Sequence, residues 1–392
     1  MKLGLLLALG AVSLGAPTPS AKFKTSPHST TIPDYVTKYA PLVYLYSEER
    51  YLPYGIDDFV SRFEIQDDDG TVVSPNRTLG IEDLENFANY SVESLYLTAL
   101  QDFDSDPDWI TGRRNVPDIE TGRISRAPAT CIVVEKDNGI VDAFWFYFYS
   151  FNLGPFVMGG GPYGNHVGDW EHSLVRFKDG QPQILWMSAH GGGSAYRFSA
   201  MEKLRTDSSR PIIFSARGTH ANYASVGQHS HDLPYYMLSD FTDRGPLWDP
   251  RENFLAYKFD GENVTFANGS EPGREEKYGN WLAYEGTWGD KRLPHSDPRQ
   301  KFHPFEWRYI TGPLGPLEKN LMRTQVCQRS KWWNFLQSCR IRHKVQAGEG
   351  IEAEGGGCAL AFDGIRPLFL QYLLRLFTWR GWGCQFIDFV WG

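Results

Sequence analysis

Histidines and carboxylates crowd one part of this 392-residue chain. Eight of its ten histidines fall between residues 166 and 303, and six of those between 166 and 231. The densest segment is Gly164-Asn-His-Val-Gly-Asp-Trp-Glu-His172. On an extended strand, Asp169 and Glu171 project to the same face about 7 Å apart, close enough to share one cation directly or through water. His166, in the glycine-flanked turn before them, can bend back to the same point. Two carboxylates and an imidazole suit one divalent ion, whether calcium, magnesium, manganese or zinc. A hydrogen-bonded polar cluster at a strand start, with Trp170 packing on the other face, accounts for the same residues without a metal.

Two further segments add imidazoles. Ser188-Ala-His-Gly-Gly-Gly-Ser194 contains the His-Gly-Gly-Gly string that forms the oxyanion hole of many esterases. That chemistry needs a G-x-S-x-G nucleophile elbow, which this chain lacks. His190 therefore reads as a turn residue that caps a strand or faces the site. Gly218-Thr-His-Ala-Asn-Tyr223 and Gly227-Gln-His-Ser-His-Asp232 supply His220, His229, His231 and Asp232, which titrate near neutrality but match no catalytic spacing. The candidate polar cleft is thus His166, Asp169, Glu171, His190 and His220, with His166, Asp169 and Glu171 as candidate metal ligands. Asp102-Phe-Asp-Ser-Asp-Pro-Asp alternates carboxylates like a calcium loop. It lacks the glycine and glutamate such a loop requires, and reads as a solvated acidic turn.

The elements that must position these groups are strands. Val141 to Phe151 is apolar on both alternating faces and belongs at the centre of a sheet covered on both sides. Asp169 to Phe177 and Ile184 to Ala189 form two more strands, joined by the turn Lys178-Asp179-Gly180, and Pro211 to Ala216 a fourth. Aromatic content of 15%, with 39 Gly and 24 Pro, favours short strands and tight turns over a helical bundle. The expected fold is mostly β, an antiparallel β-sandwich with long loops and a few short helices.

The ends and composition bound the compartment. Lys2, the apolar run Leu3 to Val12 and Ser13-Leu14-Gly15 read as a signal peptide over residues 1–15. A Ser/Thr/Pro-rich flexible leader follows over 16–33. Sequons at Asn76, Asn89, Asn263 and Asn268 suit a secretory compartment as glycosylation sites. So does a bridge between Cys327 and Cys339, twelve residues apart in a Cys/Trp-rich extension over 319–344. The net charge of -8 gives no footprint for nucleic acid. Residues 345–392 begin as Gly/Glu-rich low complexity and end in a Trp-rich stub. They read as a poorly ordered or amphipathic tail, too often broken by arginine for a transmembrane helix.

The segments YAPLVYLYSEERYLPYGIDDFV, GNHVGDWEH, SAHGGG, GTHANY and WLAYEGTWGDKRLP, in that order, resemble the fungal vacuolar protein sorting-associated protein 62 family over residues 34–318. The resemblance implies one β-sandwich domain there, a vacuolar or extracellular destination, and a role in delivering proteins to the vacuole. It brings no established reaction. A more distant likeness links FWFYFYSF, GNHVGDWEHSLVRF and SAHGG to the necrosis- and ethylene-inducing peptide-like proteins, secreted β-sandwich cytolysins. Their G-H-R-H-D-W-E motif surrounds a divalent cation and supports glycolipid binding. His166, Asp169, Trp170 and Glu171 match that motif, while Gly168 replaces its second histidine and Asn165 its glycine. That family's further acidic ligand has no counterpart from Ala143 to Gly168. Two function classes follow: a lumenal protein whose cleft binds a glycan, lipid headgroup or protein partner, or a metal-dependent hydrolase or glycolipid-binding cytolysin using the HVGDWE segment. In the hydrolase, His190 or His220 would serve as acid–base.

Overall fold

The computed structural model describes residues 22–23, 30–88, 90, 94–156, 161–230, 239–269, 275–302, 306–328, 339–345, 367 and 369. The strands that frame the site are, in chain order, β1 (Leu42–Tyr44), β2 (Ala129–Lys136), β3 (Ile140–Asn152), β4 (His166–Lys178), β5 (Gln181–Ala189) and β6 (Gly192–Arg197). There follow β7 (Asp207–Ser215), β8 (Asn222–Tyr223), β9 (Gly227–Ser230), β10 (Ser239–Thr242), β11 (Leu247–Trp248), β12 (Phe254–Phe259), β13 (Asn263–Asn268) and β14 (Ile341–Arg342). Helices are few and short. The chain is mostly β.

The larger sheet runs β13–β12–β2–β3–β4–β5–β6–β14. Its core is the antiparallel meander from β2 to β6, and every strand expected from the sequence in this region is present, each somewhat longer than its apolar run. Asp179 and Gly180 both hold positive φ, the geometry a two-residue hairpin loop demands, so the turn fixes the β4–β5 register that pairs Lys178 with Gln181. The smaller sheet centres on β7, β1 and β11, with β8 hydrogen-bonded to β7.

The two sheets share a core. Trp145, Tyr147 and Tyr149 of β3 meet Val43, Ile213 and Trp248 of the smaller sheet. The opposite face of β3 and β4, with Phe144, Phe146, Phe148 and Trp170, packs under Phe59, Phe63, Trp109, Trp281 and Trp288 from long connections. A strand apolar on both faces is thus covered on both, which is why β3 carries no polar alternation. The sheets are mixed rather than purely antiparallel: β12 pairs parallel to β2, and β7 parallel to β1. These ladders join strands remote in sequence, a pairing no local pattern encodes.

Both segments flanking the central region carry more structure than expected. The leader is not free throughout, since Lys22–Phe23 and Thr30–Thr31 both pair with β13. The extension after residue 318 is integral to the fold: β14 pairs with β6, and Leu321 and Val326 enter the larger core. Cys327 and Cys339 are bridged. The expected signal peptide and the sequon at Asn89 lie outside the described residues, as does the tail beyond Val345 apart from Pro367 and Phe369. The acidic turn is exposed as read, but each carboxylate has a partner: Asp102 with Arg299, Asp104 with Tyr309, Asp106 with Arg50 and Asp108 with Arg113.

Candidate functional site

The register of β4 against β3 sets Asp169 opposite Tyr149 and Glu171 opposite Tyr147, on the face that meets the smaller sheet. Both carboxylates are nearly enclosed, at 6% exposure. What reaches Asp169 is His220, which stands in the turn between β7 and β8 with positive φ and no exposure. Its ring stacks on Tyr149 at 3.7 Å, 5° from parallel. Nδ1 donates to Asp169 Oδ2 at 2.9 Å and Nε2 donates to the Tyr51 carbonyl at 3.1 Å, with Glu49 Oε1 at 3.8 Å. Acceptors at both nitrogens call for both protons. Burial alone would discharge this imidazole, but Asp169 and Glu49 outweigh it and lift its pKa to about 9. Glu49 is itself fixed by the Tyr51 and Gly218 backbone N–H groups, at 2.8 and 2.7 Å.

Glu171 completes this buried centre. The Ser188 hydroxyl donates to it, and the same hydroxyl oxygen accepts the His172 backbone N–H at 2.7 Å. Burial first, and the neighbouring Asp169 carboxylate second, raise the Glu171 pKa well above the carboxylate range. The fold thus favours the protonated form of Glu171 more than water does.

A second centre lies nearby on Asp240 of β10. Its carboxylate accepts from Thr219 Oγ1 at 2.8 Å, Tyr223 Oη at 2.6 Å and His190 Nε2 at 2.7 Å. His190 turns there because it has positive φ at the β5–β6 hairpin, and it stays partly open to solvent. A histidine oriented by a buried carboxylate is competent to exchange protons or to hydrogen-bond a polar ligand. Next to it, His229 stacks on Tyr223 and hydrogen-bonds Thr242. The segment 219–223 carries ligands of both centres and joins them.

Of the five expected cleft residues, Asp169, Glu171 and His220 converge. His190 joins the adjacent Asp240 centre, close enough for its charge to act on Glu171. His166 begins β4 and spends Nδ1 on the Gly168 carbonyl at 2.6 Å, while burial lowers its pKa. His231 and Asp232 lie outside the described residues. Glu49 and Asp240 are the partners that sequence reasoning missed. Among the described residues, no group of three or more His, Cys, Asp or Glu is arranged to hold a metal ion. His220 is hydrogen-bonded to Asp169 Oδ2, one of the oxygens a cation would use. Gly168 explains one departure from the cytolysin motif: a Cβ there would stand 1.9 Å from the Trp288 carbonyl oxygen, so no side chain fits.

Residues 148–232, which hold both centres apart from Glu49 and Asp240, match the family model for vacuolar protein sorting-associated protein 62. The chain is 50% identical to the Saccharomyces cerevisiae vacuolar protein sorting-associated protein 62, over 92% of its own length and 82% of the relative's. It is 48% identical to a second protein of that yeast, the putative vacuolar protein sorting-associated protein TDA6, over 91% and 83% of the two chains. Among solved structures, Necrosis and Ethylene inducing Protein 2 from the agent of cocoa's Witches Broom disease overlaps at TM-score 0.26 and 12% identity. The overlap covers 53% of this chain and 76% of that one. A protein described as a toxin fold for microbial attack and plant defense overlaps at the same score and identity, covering 63% and 84%.

Proposed function

Starting from a chain that belongs to the vacuolar protein sorting-associated protein 62 family, we propose that it works in the lumen of the secretory pathway or vacuole, in delivering proteins to the vacuole. The observation that carries this reading is half-identity with the yeast relative over nearly the whole chain. The Cys327–Cys339 bridge supports the compartment, since such bridges persist in oxidising lumens. The buried Glu49–His220–Asp169 centre acts as scaffold. The partly open His190, held by Asp240, is the solvent-facing imidazole of the second centre and the residue we assign to contact with a glycan or lipid headgroup.

The test is complementation in a Saccharomyces cerevisiae strain lacking both relatives. Expression of this chain should return a vacuolar hydrolase from the medium to the vacuole, and His190→Ala should rescue less well than wild type. A strain that sorts normally, or a defect the wild-type chain leaves unchanged, would end the reading. The cation suggested on His166, Asp169 and Glu171 is tested apart from sorting, by elemental analysis. We expect no stoichiometric divalent metal, because the charge of His220 already answers Asp169. One equivalent that disappears in Asp169→Asn would reinstate the ion.

A further inference from the structure

On the other face of β4 and β5 from Asp169, a set of buried donors has no acceptor. His172 is 1% exposed, stacked on Phe146 at 4.8 Å and set 4.9 Å from Trp186, and neither ring nitrogen has a partner. The Trp186 indole N–H is likewise buried and unpartnered. Arg323, from the extension, slides its guanidinium between Trp186 and Phe144, 4.8 and 5.0 Å from their ring centres. Its Nε and Nη1 donate to the Val326 and Lys319 carbonyls, and Nη2 is left over. His172 and Arg323 therefore border the same two rings, since His172 also lies 6.2 Å from Phe144.

The surrounding charge is positive. Burial first, and then the charges of Arg323 and Lys319, disfavour protonation of His172. The nearby carboxylate, Asp142, is already shared between Lys136 at 2.5 Å and Arg176 at 2.7 Å. Arg323 thus shares the field of Asp142 with Lys136 and Arg176, which already hold that carboxylate. Buried donors left without acceptors are rare in folded proteins, and a buried guanidinium without its counter-charge is costlier still.

We propose that Arg323 Nη2, the Trp186 indole N–H and the His172 imidazole, where residues 319–326 pack on β4 and β5, bind one small inorganic anion of the chloride type. The anion supplies the missing acceptor and the missing negative charge, and it ties the extension to the sheet. This site is independent of the sorting role and of the Asp169 face.

Thermal unfolding of the full chain, in chloride against gluconate at matched ionic strength, tests it. A ligand that binds only the folded state raises Tm with its concentration. Wild type should melt several degrees higher in chloride, and the chloride-minus-gluconate difference should vanish in Arg323→Met and shrink in His172→Phe. A difference equal in wild type and Arg323→Met would overturn the proposal. Should Arg323→Met not fold, bromide-soaked wild-type crystals decide: an anomalous peak within hydrogen-bond reach of Arg323 Nη2 is expected. A map without that peak, or with ordered water in its place, refutes the anion.

Discussion

At Gly168, one missing side chain decides how β4 sits against the loop above it. The residue has a φ of +68°, and an added Cβ would overlap the Trp288 carbonyl oxygen, a backbone atom that cannot swing away. Gly168→Ala should therefore cost more than about 3 kcal/mol, combining backbone strain with a forced shift of the tryptophan loop. Denaturant titration at fixed m-value reads this directly, and an unchanged midpoint would show that the loop yields. His220 presents the opposite case, a side chain whose removal strands others. His220→Gln leaves Asp169 and Glu49 buried without their cation, so a loss of about 3–5 kcal/mol is expected. Asp169→Asn in the same background should add much less than it does alone, because the two act as one unit. Fully additive losses would mean that the contact at 2.9 Å contributes nothing of its own.

Elements divide into those that local pattern encodes and those it does not. β3 announced itself as a run apolar on both faces, and the Asp179-Gly180 turn announced the β4–β5 hairpin. Alternation alone therefore placed Asp169 and Glu171 on a common face. His220 was legible as a member of the same cleft, but Glu49, which faces it from the other side, arrives from a loop remote in sequence and was not. Asp240 sits in an acidic stretch with no spacing that marks it as His190's partner. The extension after residue 318 shows the same limit. Its twelve-residue cysteine spacing was legible, but not that Lys136 and Arg176 reach out of the sheet to hold the Arg323 and Thr324 carbonyls. Those contacts make the bridge a clasp on segments already docked. Replacing both Cys327 and Cys339 with serine should lower stability by about 2–3 kcal/mol, the chain-entropy value for so short a loop. Proteolysis should then begin within the extension. A double-serine chain as stable and resistant as the parent would show that β14 and Arg323 hold the extension unaided.

For the molecule as a whole, the buried charges set how stability follows pH. His220 is protonated in the fold up to about 9 and in the unfolded chain only up to about 6.5, held by Asp169 from β4 and Glu49 from the turn after β1, with Tyr149 stacked on its ring. Its contribution is complete below the unfolded value and is lost as pH rises through the folded one. Glu171, also raised, acts with the same sign, since its proton is held more tightly in the fold. His166 and His172 act oppositely: their depressed values withdraw stability as pH falls below about 6.5. The chain should thus be most stable in mildly acidic to neutral solution. From about pH 6.5 to 9 it should lose at most on the order of 1.4 kcal/mol per unit for each proton released. Denaturant melts across that range should show the decline in wild type and a shallower one in His220→Gln. That variant keeps the contributions of Glu171, Glu285 and Asp290, all raised by burial, and the opposing one of Lys203, which burial lowers. Equal slopes in the two proteins would mean that His220 is neutral in the fold, and that Asp169 and Glu49 are balanced by something other than its charge.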